Sequence, residues 1–159
     1  MTKLLLAVHV LAAIITIGPV TVAASMFPPA VRRALAAPGD PSGLATVRTL
    51  HRICRVYAVI AVTVPVFGLA TANGLHVLGS AWLITSIVLT ALAAAVLGAL
   101  ILPRQGSALA ALDGPSETLE PTAVQRVAGQ LGMFTGVFNL LWATVTVLMI
   151  IRPGSTTGA

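Results

Sequence analysis

A single histidine lies inside a long apolar run near the start of the chain. Leucine, valine and alanine surround His9, and Thr16 follows seven residues later on the same face of a helix. An imidazole is costly in lipid, so we expect this face to point towards other helices. One nitrogen of a neutral imidazole can bind haem iron or copper while the other donates a hydrogen bond. His9 is therefore a candidate ligand residue, and a hydrogen-bonded structural histidine is the alternative.

Three arginines with helical spacing form a second feature. Arg48, Arg52 and Arg55 stand at i, i+4 and i+7 just before or at the start of an apolar run, which places them on one helix face. A basic stripe at a membrane edge is typical of contact with anionic lipid headgroups. The alternative is a bound phosphate or a bound carboxylate, such as a haem propionate.

Small residues and one amide share a face near the end of the chain. Gly132, Gly136 and Asn139, followed by Ala143 and Thr146, are spaced i, i+4, i+7, i+11 and i+14. Small residues let membrane helices approach closely. We therefore predict that this stripe packs against other helices in the interior of the bundle, and that Asn139 hydrogen-bonds to a neighbouring helix.

Other chemistry has no motif in this chain. There is no Cys-x-x-Cys, His-x-x-His, Glu-x-x-His or Gly-x-Ser-x-Gly pattern, so no metal site is predicted beyond haem iron at His9. The apolar runs contain no Asp, Glu or Lys, which argues against a proton pump or an ion-coupled carrier. No catalytic residue can be named, and an enzyme is not favoured.

Four long apolar segments position these residues. The segments cover roughly residues 4–27, 53–72, 81–102 and 131–151, and only Arg55 places a charge within them. A helix needs about 20 mostly apolar residues to cross the ~30 Å hydrocarbon layer. With 57% hydrophobic and 8% charged residues among 159, the chain has no room for a separate soluble domain. The predicted fold is an all-α integral membrane four-helix bundle, with residues 1–159 as a single membrane domain.

The basic residues predict an orientation. Seven arginines lie in the first and third connections, while only Lys3 and Arg152 lie on the opposite side. Lys and Arg are enriched in cytoplasmic loops, so both termini should be outside in a multi-pass protein of the bacterial inner membrane. The net charge is only +5 and its residues flank the spans, so lipid is the expected partner and nucleic acid is not.

Prolines suggest where helices end or bend. We expect Pro19 and Pro65 to kink the first and second helices, and Pro28-Pro29 to mark the inner end of the first. Pro103 should end the third helix, and a turn-rich loop should follow it as far as Pro121. The last helix should begin early, across residues 122–130.

The orientation separates the remaining histidines. His76 falls in the short outer connection, so it and His9 could approach one ligand near the outer face; a solvated loop residue is the alternative. His51, next to Arg52, is expected on the cytoplasmic side at headgroup level. The predicted cofactor-binding residues are therefore His9 and His76. The cofactor is unknown, with haem b as the candidate.

The first helix carries a resemblance. The run Lys3-Leu-Leu-Leu-Ala-Val-His9-Val-Leu-Ala-Ala-Ile-Ile-Thr-Ile-Gly18 resembles uncharacterised bacterial integral membrane proteins with four spans and an early histidine. It is also similar to the first helix of the copper-resistance CopD-like proteins and, more distantly, to the membrane-bound protoporphyrinogen oxidase of bacteria, which binds haem. The oxidase group uses an intramembrane lysine on a later helix, which this chain lacks. The resemblance thus implies a ligand role for His9 but not protoporphyrinogen oxidation.

Three functions follow from these observations. The first is an integral membrane protein that binds haem or a similar ligand at His9. The second is a non-catalytic accessory subunit, whose small-residue faces pack against another membrane protein or a second copy of the chain. The third is a pathway or carrier for a small molecule, suggested by the helix prolines Pro19 and Pro65.

Overall fold

Helices are the only regular secondary structure in the residues that the computed structural model describes, which are 2–114 and 121–154. The elements, in chain order, are α1 (Thr2–Ala36), α2 (Pro41–Ile60), α3 (Thr63–Gly74), α4 (Ala81–Ala95), a π-helical turn (Val96–Ile101), α5 (Leu102–Asp113) and α6 (Pro121–Ile151). The order and helical class agree with the fold predicted from the sequence.

Consecutive elements join into four long apolar helical stretches within the described residues. They run over Lys3–Ala36, Pro41–Gly74, Ala81–Asp113 and Pro121–Ile151, and each is long and apolar enough to cross a membrane. At 1.5 Å per residue, helices of this length extend about 45–50 Å, well beyond a ~30 Å hydrocarbon layer. All four therefore continue past the apolar runs, at the end of the bundle where α1 leads into α2. We call this the loop end, and the opposite end the termini end.

Two of the predicted helix boundaries were wrong. The first helix continues through Pro28 and Pro29 to Ala36, and the region after Pro103 is helix α5 rather than a loop. A proline inside a helix removes one backbone hydrogen bond, and side-chain packing on either side can hold the helix together. Phe27, directly before the proline pair, is fully buried. The predicted loop is thereby shortened to the segment around 114–120, of which 115–120 lie outside the described residues.

The predicted bend at Pro65 is confirmed as an interruption between α2 and α3. Proline has no N–H, so the Ala61 carbonyl cannot accept the usual helical bond from it. Instead the Val64 N–H donates to Ala61 O at 3.0 Å, and the Val62 N–H donates to Val59 O at 3.2 Å. At Pro19, by contrast, α1 is a continuous helix.

A wider helical turn precedes Pro103. Within the π-helical segment the backbone N–H of Leu102 bonds to Leu97 O, five residues back. Beyond it, Arg104 donates from Nη1 to Leu100 O at 3.1 Å, and its guanidinium lies 4.6 Å from the centre of the Phe134 ring on α6. The third stretch thus stays helical at Pro103, because its backbone hydrogen bonds shift to a five-residue spacing and the Arg104 side chain donates to a backbone carbonyl.

The N-terminus of α2 is capped by a carboxylate in the first connection. Asp40 accepts hydrogen bonds from the Ser42 backbone N–H at 2.9 Å and from the Ser42 hydroxyl at 2.6 Å. The hydroxyl bond, followed by the N–H bond, lowers the pKa of Asp40 below its usual range. Pro41 occupies the first turn, where its missing N–H costs nothing.

Helix α1 is the centre of the packing. It contacts α2, α3 and α6; α4 packs against α6, and α2 meets α5 at the loop end. The main core lies in the loop-end half of the bundle and includes the fully buried Val20, Phe27, Val31, Val47 and Cys54. A smaller cluster of Ala72, Trp82 and Leu83 lies at the termini end.

The small-residue stripe on α6 does not face the interior, so that prediction was wrong. Gly132 and Gly136 are exposed, and a Cβ added at either would meet nothing within 4 Å. The larger Leu131, Thr135 and Phe138 fill the interior instead. The glycines and the larger residues each recur with helical spacing, so the spacing alone does not decide which face is buried. Burying the larger side chains gains more packing contacts. The hydrogen bond predicted for the amide is confirmed: Asn139 Nδ2 donates to Ser25 Oγ on α1 at 3.3 Å.

Candidate functional site

His9 ties α1 to α3 through a hydrogen bond to the backbone. Its Nδ1 lies 2.9 Å from the carbonyl oxygen of Val64, 55 residues away in the sequence. A carbonyl can only accept, so Nδ1 carries the proton in this bond. In the neutral ring the other nitrogen, Nε2, then keeps its lone pair. A histidine that binds a metal usually has its second nitrogen oriented by such a carbonyl.

The ring of His9 lies directly against the α3 backbone at Gly68. A Cβ added to Gly68 would be 2.9 Å from His9 Cε1 and 3.1 Å from Nδ1. Real Cβ contacts essentially never approach 3 Å, so the ring occupies the space that any side chain here would fill. Gly68 was not among the residues predicted from the sequence. Its only signal was a glycine in the interior of a helix, where glycine is unfavourable unless close packing requires it.

The face of α1 that carries His9 points inwards, as predicted. Thr16 on this face is buried, and its hydroxyl donates to Ala12 O at 2.7 Å. His9 itself is half-buried. The imidazole is thus at the α1–α3 seam, near the termini end of the bundle.

His76 lies in the connection beyond the end of α3, whereas His9 packs against α3 at Gly68. His76 is exposed and has a φ of 56°. The helix axis between Gly68 and Gly74 alone is roughly 9 Å long at 1.5 Å per residue. In the part of the chain that the structure describes, no group of three or more His, Cys, Asp or Glu residues could hold a metal ion.

The predicted arginine stripe lies in an open groove between α2 and α5 at the loop end. This basic groove has a volume of about 610 Å³. Its lining residues are Arg48, His51, Arg52, Arg55, Val56, Val59, Ile60 and Leu109. The structure therefore brings the three arginines together with a histidine and with apolar side chains from both helices.

One of the three arginines has an ion-pair partner. Arg48 Nη2 donates to both carboxylate oxygens of Asp113 at 3.0 Å, and both side chains are about half-exposed. Across residues 2–114 and 121–154, neither Arg52 nor Arg55 has a carboxylate within salt-bridge distance. Their charges face the groove without compensation from these residues.

A buried amide fixes the wall of the basic groove. Gln105 is completely buried, and its Oε1 lies 3.2 Å from His51 Nδ1, which must be the donor. Its Nε2 lies 3.5 Å from Cys54 Sγ. Gln105 was not predicted from the sequence, because the region after Pro103 was expected to be a loop. Cys54 is buried, as expected of a packing residue.

The chemistry at His9 suits a ligand that needs a single protein donor. A bare zinc or copper ion takes three or four protein ligands, whereas haem iron receives four nitrogens from its macrocycle and one or two from the protein. One oriented imidazole nitrogen therefore matches haem better than a bare ion.

Comparison with known proteins identifies no relative of this chain: no protein family, curated protein or solved structure matches it. The likeness noted in the first helix therefore rests on the residues around His9 alone. The assignment of function has to be argued from the geometry of the two sites.

Proposed function

We propose that this chain is a multi-pass protein of the bacterial inner membrane, with both termini outside, that binds haem b through His9. The hydrogen bond from His9 Nδ1 to Val64 O carries the proposal. That bond fixes the ring and leaves Nε2 as the coordinating atom. The haem would supply an iron ion, and His9 would supply a nitrogen ligand to it.

The proposed orientation is supported by the distribution of charge. The arginines of α2 and the first connection lie at the loop end, which would be cytoplasmic. His9 and the α3–α4 connection lie at the opposite end, so the haem would be bound in the outer half of the membrane.

Haem titration of the purified full-length protein tests the proposal. We expect addition of haemin in detergent to give a saturable Soret shift, and His9→Ala to abolish it while far-ultraviolet circular dichroism stays helical. His9→Gly should regain the shift when free imidazole is added, because imidazole can replace the missing ligand.

Two matched controls accompany this titration. His76→Ala and His51→Ala also remove one imidazole each. Both should retain the Soret shift, because His76 lies exposed beyond the end of α3 and His51 is bonded to Gln105 at the loop end. A full shift in His9→Ala would remove His9 as the ligand. Loss in all three variants alike would also contradict the proposal.

A second function, a non-catalytic subunit that packs against another membrane protein or a second copy, is supported by the outward face of α6. Gly132 and Gly136 form a small-xxx-small pair with open space above it, the arrangement by which helices approach in lipid.

The assembly proposal is tested by the mass of the purified complex in detergent. Gly136→Ile should reduce that mass to the single chain, while Gly18→Ile, at an exposed glycine of α1 that also has open space above it, should leave it unchanged. A single-chain mass for the unmodified protein, purified without partners, contradicts this second function.

A further inference from the structure

We infer that the basic groove binds one anionic glycerophospholipid, with its phosphate at Arg52 and Arg55 and an acyl chain along Val56, Val59 and Ile60. This inference does not depend on haem binding at His9, which lies at the other end of the bundle. It concerns the residues of α2 and α5 that line the groove.

The charge of the groove calls for an anion. Among the residues that the structure describes, Arg48 is paired with Asp113, whereas the guanidinium groups of Arg52 and Arg55 have no carboxylate partner and face the groove. Both are exposed on the groove side of α2. Guanidinium groups bind phosphate through paired N–H donors, which is stronger and more directional than binding by an ammonium group.

The apolar half of the groove selects a lipid over a free phosphate. Val59 is 74% exposed, and Val56 and Ile60 are 47% and 43% exposed. From Arg48 to Ile60 the groove follows α2 for about 18 Å, with charges first and apolar side chains after them. A phospholipid has the same order of headgroup and chain, whereas inorganic phosphate would leave the apolar half uncovered.

The wall of the groove is held in place before any ligand arrives. Asp113 holds the Arg48 side chain with two hydrogen bonds, and the buried Gln105 holds His51. A prearranged wall loses less conformational entropy on binding than a mobile one. These contacts order two of the side chains that line the groove, Arg48 and His51.

Native mass spectrometry of the full-length protein in a non-ionic detergent tests the inference. Dioleoyl phosphatidylglycerol should be retained as a single bound lipid, and dioleoyl phosphatidylcholine, of equal chain length, at least about tenfold more weakly, because its choline cation opposes the arginines. Arg52→Gln/Arg55→Gln should weaken retention of phosphatidylglycerol by roughly 25-fold, at about fivefold for each of the two basic residues.

A charge-matched control separates the groove from general attraction. Arg32→Gln/Arg33→Gln removes two exposed arginines from the same end of the bundle but outside the groove, and should retain the lipid. Equal loss in both double variants overturns the inference. So does equal retention of the two lipids.

Two further measurements identify the source of the phosphate. Excess inorganic phosphate should not displace the lipid, and Val59→Ser/Ile60→Ser should weaken retention of phosphatidylglycerol several-fold, since both side chains are exposed and their replacement leaves the core intact. Displacement by phosphate, or unchanged retention in the serine variant, overturns the lipid assignment. If the arginine variant does not fold, the serine variant still tests whether the lipid binds in the basic groove. An acidic protein that copurifies in place of the lipid would likewise overturn it.

Discussion

Replacing Gly68 by alanine is the most direct perturbation of the seam that positions His9. The added methyl group would be 2.9 Å from His9 Cε1 and 3.1 Å from Nδ1, so the ring has to move away from α3. The Nδ1–Val64 O distance is 2.9 Å, and a shift of a few tenths of an ångström stretches this bond beyond the favourable range.

The expected cost combines three terms. Overpacking costs about 1–3 kcal/mol. A lost interhelical hydrogen bond in a membrane protein costs about 0.6 kcal/mol. Alanine is favoured over glycine in a helix by up to about 1 kcal/mol, which offsets part of this loss. Gly68→Ala should therefore lower the free energy of unfolding by about 1–3 kcal/mol.

Unfolding in detergent micelles, followed by circular dichroism, measures this change. Gly129→Ala is the matched control: its added Cβ meets nothing within 4 Å, so it should be neutral or slightly stabilising. In a His9→Ala background the cost of Gly68→Ala should disappear, because the ring that opposes the methyl group is gone. If Gly68→Ala is as stable as Gly129→Ala, or its cost persists without the ring, the close contact between His9 and Gly68 is refuted.

Three further predictions concern polar groups elsewhere. Thr135 Oγ1 is buried without a partner among the described residues, so Thr135→Val should raise the free energy of unfolding by roughly 1 kcal/mol. Thr71→Val is the control: it removes a hydroxyl that is hydrogen-bonded at 2.7 Å, so it should lower the free energy of unfolding. A double-mutant cycle on the half-exposed Arg48–Asp113 pair should give a coupling of about 0.2–1 kcal/mol that shrinks as salt is added. The lowered pKa of Asp40 implies a stabilising contribution that is complete above the unfolded value of about 3.9 and is lost as pH falls through the folded pKa. Asp40→Asn, which keeps the cap, should unfold with less dependence on pH below about 4; identical acid profiles of the two proteins would contradict this assignment.

The broad architecture could be predicted because it depends on local composition. Four apolar runs of the required length define four helical stretches, and the missing N–H of Pro65 accounts for the break between α2 and α3. The ends of the helices were harder to predict, since the rule that proline ends a helix is local. The helices continue through Pro28 and Pro103, where contacts between α1, α2 and α5 accompany them.

The candidate site depended on contacts that no local pattern specifies. The helical spacing placed the arginines of α2 on one face, and the structure brings them to one groove. The partners of the histidines could not be predicted: His9 meets Gly68 and Val64 more than fifty residues away, and His51 meets Gln105 at a similar separation. The sequence also could not show that the α6 face with Gly132 and Gly136 is exposed, because the residues of the buried face have the same helical spacing.

The visible absorption spectrum of the detergent-purified protein, oxidised and then reduced with dithionite, tests the central claim most directly. Protein produced in cells with ample haem should show a Soret band and sharpened bands on reduction, and His9→Ala prepared in parallel should lack both while remaining helical. A colourless unmodified protein, or an unchanged spectrum in His9→Ala, would contradict haem binding through His9.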